Sequence, residues 1–176
     1  MTNLTPSRAR YCAIALVALA ELGHLAWEHF HGGIRSHHLL NRADLAAISS
    51  AWGIVFLPAL AWFLSGRVPV RATSPLVIQR IGVAFFGSLA VGVALSVAFT
   101  NGFADVSAAI FLGMLLCGLI LRVYRGEYVL GFVLGMSFTF GAMLPTLAAV
   151  FVSAVSALAH YAVHPAFRWL VAKVRA

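Results

Sequence analysis

Runs of apolar residues about as long as a bilayer is thick occupy most of this chain, and no other feature narrows its fold as much. A helix needs about 20 apolar residues to cross the hydrocarbon, and the chain is 62% hydrophobic and only 10% charged. Its mean hydropathy of +0.96 lies outside the range of soluble domains, whose apolar share sits near half. A transmembrane β-barrel is excluded, because it would show short segments of alternating polarity rather than long apolar runs. The fold expected is an all-α integral membrane protein, a compact bundle of transmembrane helices forming one domain.

Six spans can be drawn, at about 11–29, 45–63, 77–99, 106–123, 128–144 and 146–163. The first should stop at Gly32-Gly33, since glycine is the usual helix stop. Asn41 with Asp44 makes a capping pair ahead of the second. Only Leu144-Pro145-Thr146 separates the last two. Read as one helix, residues 128–163 would run about 54 Å, against roughly 30 Å of hydrocarbon, so a tight turn is expected at the proline. With six spans, Arg8, Arg10, Arg67, Arg71, Arg80, Arg122, Arg125, Arg168, Lys173 and Arg175 share one side, and only Arg35 and Arg42 lie opposite. Basic residues in short loops stay cytoplasmic. Both termini are therefore expected in the cytoplasm and residues 30–44 outside, facing the periplasm if the membrane is a bacterial inner membrane.

The formal charge of +7 is accounted for by this orientation, so no nucleic-acid partner is inferred. No cleavable leader is expected, because the first apolar run lacks a small-residue cleavage site. The tail from Pro165 is basic and amphipathic and should lie at the cytoplasmic headgroups, anchored by Trp169 and Lys173. Gly82, Gly87 and Gly92, with Gly131 and Gly135 as a GxxxG pair, read as close helix-packing faces. Cys12 and Cys117 read as buried small hydrophobes.

Against this background one polar stretch stands out. Glu21 to Asp44 holds five of the seven histidines and three of the five acidic residues. On a helix, Glu21, His24, Glu28 and His31 fall at i, i+3, i+7 and i+10, along one face. Ionisable groups are costly inside a membrane, so they mark a functional site by default. That face should turn into the bundle, with Ala18 and Leu25 toward lipid. A protonated Glu21 could also bond a facing serine, Ser49 or Ser50.

Imidazole and carboxylate suit a transition metal, whether zinc, iron or copper. The expected ligands are His24, Glu28 and His31, with His37 and His38 returning from the loop, and Glu21 or Asp44 as acid/base. An open coordination position would then activate water or dioxygen, giving a metal-dependent membrane hydrolase or oxidase acting on a lipophilic substrate. A second reading makes Glu21, His24, Glu28 and His31 an ion or proton ladder of a metal-ion or proton-coupled transporter. A third, a b-type haem protein, needs two histidines at equal depth on facing spans, and His24 has no such partner. His29 could serve as a relay, while His160 and His164 lie at the other face of the membrane. The lipid bilayer is the implied partner, and a homo-oligomer is compatible with the sequence.

Overall fold

The computed structural model describes residues 6–34, 36–38, 47–66 and 74–174. They are almost entirely helical. We number the helices α1 (Pro6–Phe30), α2 (Gly53–Ser65), α3 (Pro75–Thr100), α4 (Ala104–Ile120), α5 (Gly126–Phe140) and α6 (Met143–Leu158), with α7 (His164–Val174) following α6 through a π-helical turn at Ala159–Val163. Between α1 and α2 a short antiparallel ladder pairs β1 (Ser36–His38) with β2 (Ala47–Ser49), Ser36 opposite Ser49. A 3-10 turn at Ser50–Trp52 then feeds α2.

Three segments are long and apolar enough to cross a membrane: Arg10–Phe30, Pro75–Thr100 and Met143–Lys173. The remaining apolar helices are shorter. The 15-residue α5 extends about 22 Å, less than the roughly 30 Å of hydrocarbon. The second expected span begins later than drawn, because Ala47–Ser49 is strand and Ser50–Trp52 is 3-10 helix.

The break between α5 and α6 falls at Gly141-Ala142, not at the proline. Gly141 takes φ +66° and ψ −175°, a region that side chains make costly. Pro145 instead sits in the first turn of α6, where its missing N–H has no intrahelical acceptor to lose. Thr146 closes the turn by donating from Oγ1 to the Ala142 carbonyl at 2.7 Å. The expected tail likewise does not break at Pro165, since helix runs continuously from α6 through the π turn into α7.

α5 sits at the centre of the core, packed against α2, α3 and α6. Its buried face includes Leu130, Phe132, Val133 and Met136. The GxxxG pair does the work expected of it: a Cβ on Gly131 would collide with the Phe85 carbonyl of α3, and one on Gly135 with the Leu89 carbonyl. Gly92 faces Gly135 across the same seam, while Gly82 and Gly87 of α3 face open space. Cys12 and Cys117 are exposed rather than buried, because the outward faces of these helices are as apolar as the core.

The helix ends are tied in register. Arg10 Nη2 at the start of α1 donates to the Trp62 carbonyl near the end of α2 at 2.6 Å, and its guanidinium lies 4.0 Å over the Trp62 ring. Gly126 packs against Leu64. Ser156 of α6 donates to the Leu121 carbonyl at 3.0 Å. Arg10, Arg122 and Arg125 therefore gather at one end of the molecule.

Candidate functional site in the first helix

α1 buries Val17, Glu21, His24, Leu25 and Glu28, positions four, three or one apart that fall on one helical face. Leu25 is thus inside this face rather than on the lipid side. The helix ends as its sequence indicates. Gly33 N–H donates back to the Glu28 carbonyl at 2.9 Å, and Gly32 and Gly33 hold φ of +115° and +95°, values that suit glycine alone.

The centre of the site is His24. Its Nδ1 lies 3.7 Å from Glu21 Oε2 and its Nε2 3.5 Å from Glu28 Oε1. The two ring nitrogens point away from each other, so the carboxylates flank the imidazole rather than share one side of it. All three side chains are buried, at 4%, 8% and 4% exposure for Glu21, His24 and Glu28. Formally the trio carries two negative charges with a neutral imidazole, and each proton it takes up removes one.

The neighbours of the trio come from α2, its preceding turn and α5. Ser50 Oγ donates to Glu28 Oε1 at 3.4 Å, so the serine expected opposite Glu21 serves Glu28 instead. Glu21 is held by space: its carboxylate fills the volume a Cβ at Gly53 would occupy. Phe138 of α5 lays its ring 4.7 Å from that of His24. His24 Nδ1 is buried with no hydrogen-bond partner, since 3.7 Å to Glu21 exceeds hydrogen-bond length. The gap leaves room for shortening.

His31 leaves the stripe. Its ring stacks on Trp27 at 3.6 Å, and its Nδ1 lies 2.9 Å from the Trp27 carbonyl. Both side chains are exposed. His29 is exposed beside Phe30. His37 and His38 lie in β1, paired with the strand that leads to Ser50. Asp44 falls outside the described residues. His160 is tied to backbone, with Nδ1 2.9 Å from the Ser156 carbonyl and Nε2 3.3 Å from that of Ile120, and its ring lies 4.9 Å from that of His164. It belongs to the arginine end, not to the trio.

Among the described residues, no group of three or more His, Cys, Asp or Glu side chains is arranged to hold a metal ion. Gly53 and Phe138 escaped the reading of the sequence. Gly53 left a faint signal, since a small residue three positions after Ser50 lets a second helix approach a carboxylate. Phe138 left none, being one of 13 phenylalanines. No protein-family model, curated protein or solved structure matches this chain.

Proposed function

We propose that this chain is a proton-coupled membrane transporter in which Glu28, His24 and Glu21 form a proton relay. One observation carries the proposal: each ring nitrogen of His24 faces its own buried carboxylate. Imidazole is suited to this arrangement because it accepts a proton at one nitrogen and releases one from the other. The distances are about half an ångström longer than hydrogen bonds, so transfer follows a small approach of the side chains. Glu28 lies toward the glycine-terminated end of α1, beneath exposed Trp27 and His31, and is the entry. Glu21 lies deeper, against Gly53, and holds the proton.

The topology proposed with it has six crossings, both termini in the cytoplasm and residues 30–44 in the periplasm of a bacterial inner membrane. The gathering of Arg10, Arg122 and Arg125 at one end supports it, through the positive-inside rule. The short helices are compatible with crossing because a bilayer thins locally around short spans at modest cost.

Reconstitution into liposomes holding a pH-sensitive dye tests the proposal. An imposed potassium-diffusion potential should drive proton entry through the wild type. His24→Gln should lose it, because an amide cannot pass a proton between two carboxylates. Undiminished flux in His24→Gln, or no flux in the wild type, overturns the relay.

A metal site is the second reading, favoured by the cluster of His24 Nε2, Glu28 Oε1 and Ser50 Oγ. Zinc, iron or copper held there would use His24 and Glu28 as ligands, with Glu21 on the opposite ring nitrogen orienting the imidazole. A hydrolase or oxidase acting on a lipophilic substrate would follow from that. Elemental analysis of the purified protein separates the readings: about one metal per chain, lost in Glu28→Ala and retained in His160→Ala, selects this one.

A further inference from the structure

A cavity of about 1130 Å³ opens beside α3 and α4 and shares no residue with the relay. It extends along α3 from Val77 to Val91, about 21 Å. That is more than half of the roughly 30 Å hydrocarbon core, or the reach of an acyl chain from one leaflet. Its walls are apolar for most of this length. Gly87 and Gly113 keep it wide, since a Cβ at either would meet nothing within 4 Å. Buried Phe132 and Ala149 form its floor.

The charged residues of the lining lie toward one end, Arg80 on α3 and Arg125 and Glu127 at the start of α5, while Ser88 and Ser153 add single hydroxyls along the walls. Two formal positive charges against one negative leave this mouth at +1. It is also the end where Arg10 and Arg122 lie, the level of the phosphates under the positive-inside rule. Arginine binds phosphate oxygens in bidentate fashion.

The geometry points to a binding site for one anionic phospholipid, its acyl chain along α3 and its phosphate held by Arg80 and Arg125. The charge balance selects the class. A phosphodiester with an uncharged head, as in phosphatidylglycerol, brings the mouth to zero. A zwitterionic lipid leaves it at +1, with the lipid's ammonium set against two guanidinium groups.

Native mass spectrometry of the full-length protein, titrated with equal phosphatidylglycerol and phosphatidylcholine, tests this. One phosphatidylglycerol should be retained with a preference on the order of tenfold, the value of an arginine or two near a lipid phosphate. In the double variant Arg80→Gln/Arg125→Gln the preference should vanish while lipid still binds. Gly113→Leu should lower retention with both arginines intact, by filling the cavity; because that position faces open space, its unfolding temperature should match the wild type. Cys117 lines the cavity and gives a second readout. In a Cys12→Ser background its alkylation by maleimide should slow when phosphatidylglycerol is added, and stay unchanged with glycerol phosphate. Equal retention of both lipids by the wild type overturns the proposal, as does a preference that survives loss of both arginines. Alkylation indifferent to lipid overturns it too, and protection by glycerol phosphate alone would reduce the site to an anion site without a lipid chain.

Discussion

At the scale of single residues, the environment of the trio depends on two α2-side contacts of different kinds. Ser50 contributes a long hydrogen bond to Glu28, and such bonds between membrane helices average about 0.6 kcal/mol. Gly53 contributes the absence of a side chain where the Glu21 carboxylate lies. A methyl there would meet the far end of the flexible Glu21 side chain, which can swing aside. The cost in stability thus stays below the about 1–3 kcal/mol of overpacking against a fixed neighbour. Thermal unfolding in detergent should therefore shift little in either Gly53→Ala or Ser50→Ala. The glycine change should impair proton flux, although alanine titrates no more than glycine does, because it displaces the carboxylate proposed to receive the proton. A Gly53→Ala protein as active as the wild type would count against this placement of Glu21.

At the scale of elements, the glycines divide into those that let backbones touch and those that do not. Gly135 meets the backbone of α3, and Gly87 faces the cavity. Gly135→Ala should destabilise by about 1–3 kcal/mol through overpacking. Gly87→Ala should be neutral or stabilise by up to about 1 kcal/mol, the helix preference of alanine over glycine. The turn between α5 and α6 gives a matching contrast. Gly141→Ala should cost about 1–3 kcal/mol, because Gly141 occupies backbone space nearly reserved for glycine. Pro145→Ala should cost less, since the proline neither makes the turn nor interrupts a helical hydrogen bond. Unfolding midpoints of the four variants decide both contrasts, and a Pro145 effect larger than that of Gly141 would reverse the assignment of the break.

At the scale of the whole molecule, orientation sets which way the proposed relay faces. Reporter fusions after Arg71 and at the C-terminus should both read cytoplasmic, and a reporter inserted at Gly33 should read external. The expectation rests on ten basic residues against two and on the clustering of Arg10, Arg122 and Arg125. An external C-terminus would place that cluster outside as well, because Ser156 and His160 hold the end of α6 beside Leu121 and Ile120, and would overturn the proposed orientation.

What was legible in the sequence is what local chemistry decides. Apolar run length marked the helices, Gly32-Gly33 marked the end of α1, and spacing put Glu21, His24 and Glu28 on one face. These properties depend on residues within a few positions of one another, so the chain alone carries them. The same spacing also grouped His31 with the stripe, and there it was not enough: a free helix end let His31 stack on Trp27 instead of following Glu28. Only the tertiary structure decided which side of His24 each carboxylate takes, that Gly53 rather than a serine receives Glu21, and that Gly131 and Gly135 pack while Gly87 opens a cavity. Each of those depends on which helix lies opposite. In a chain whose lipid-facing and buried surfaces are equally apolar, hydrophobicity cannot distinguish the two faces of a helix, so partner choice rests on the close fit of small residues and emerges only when the helices meet.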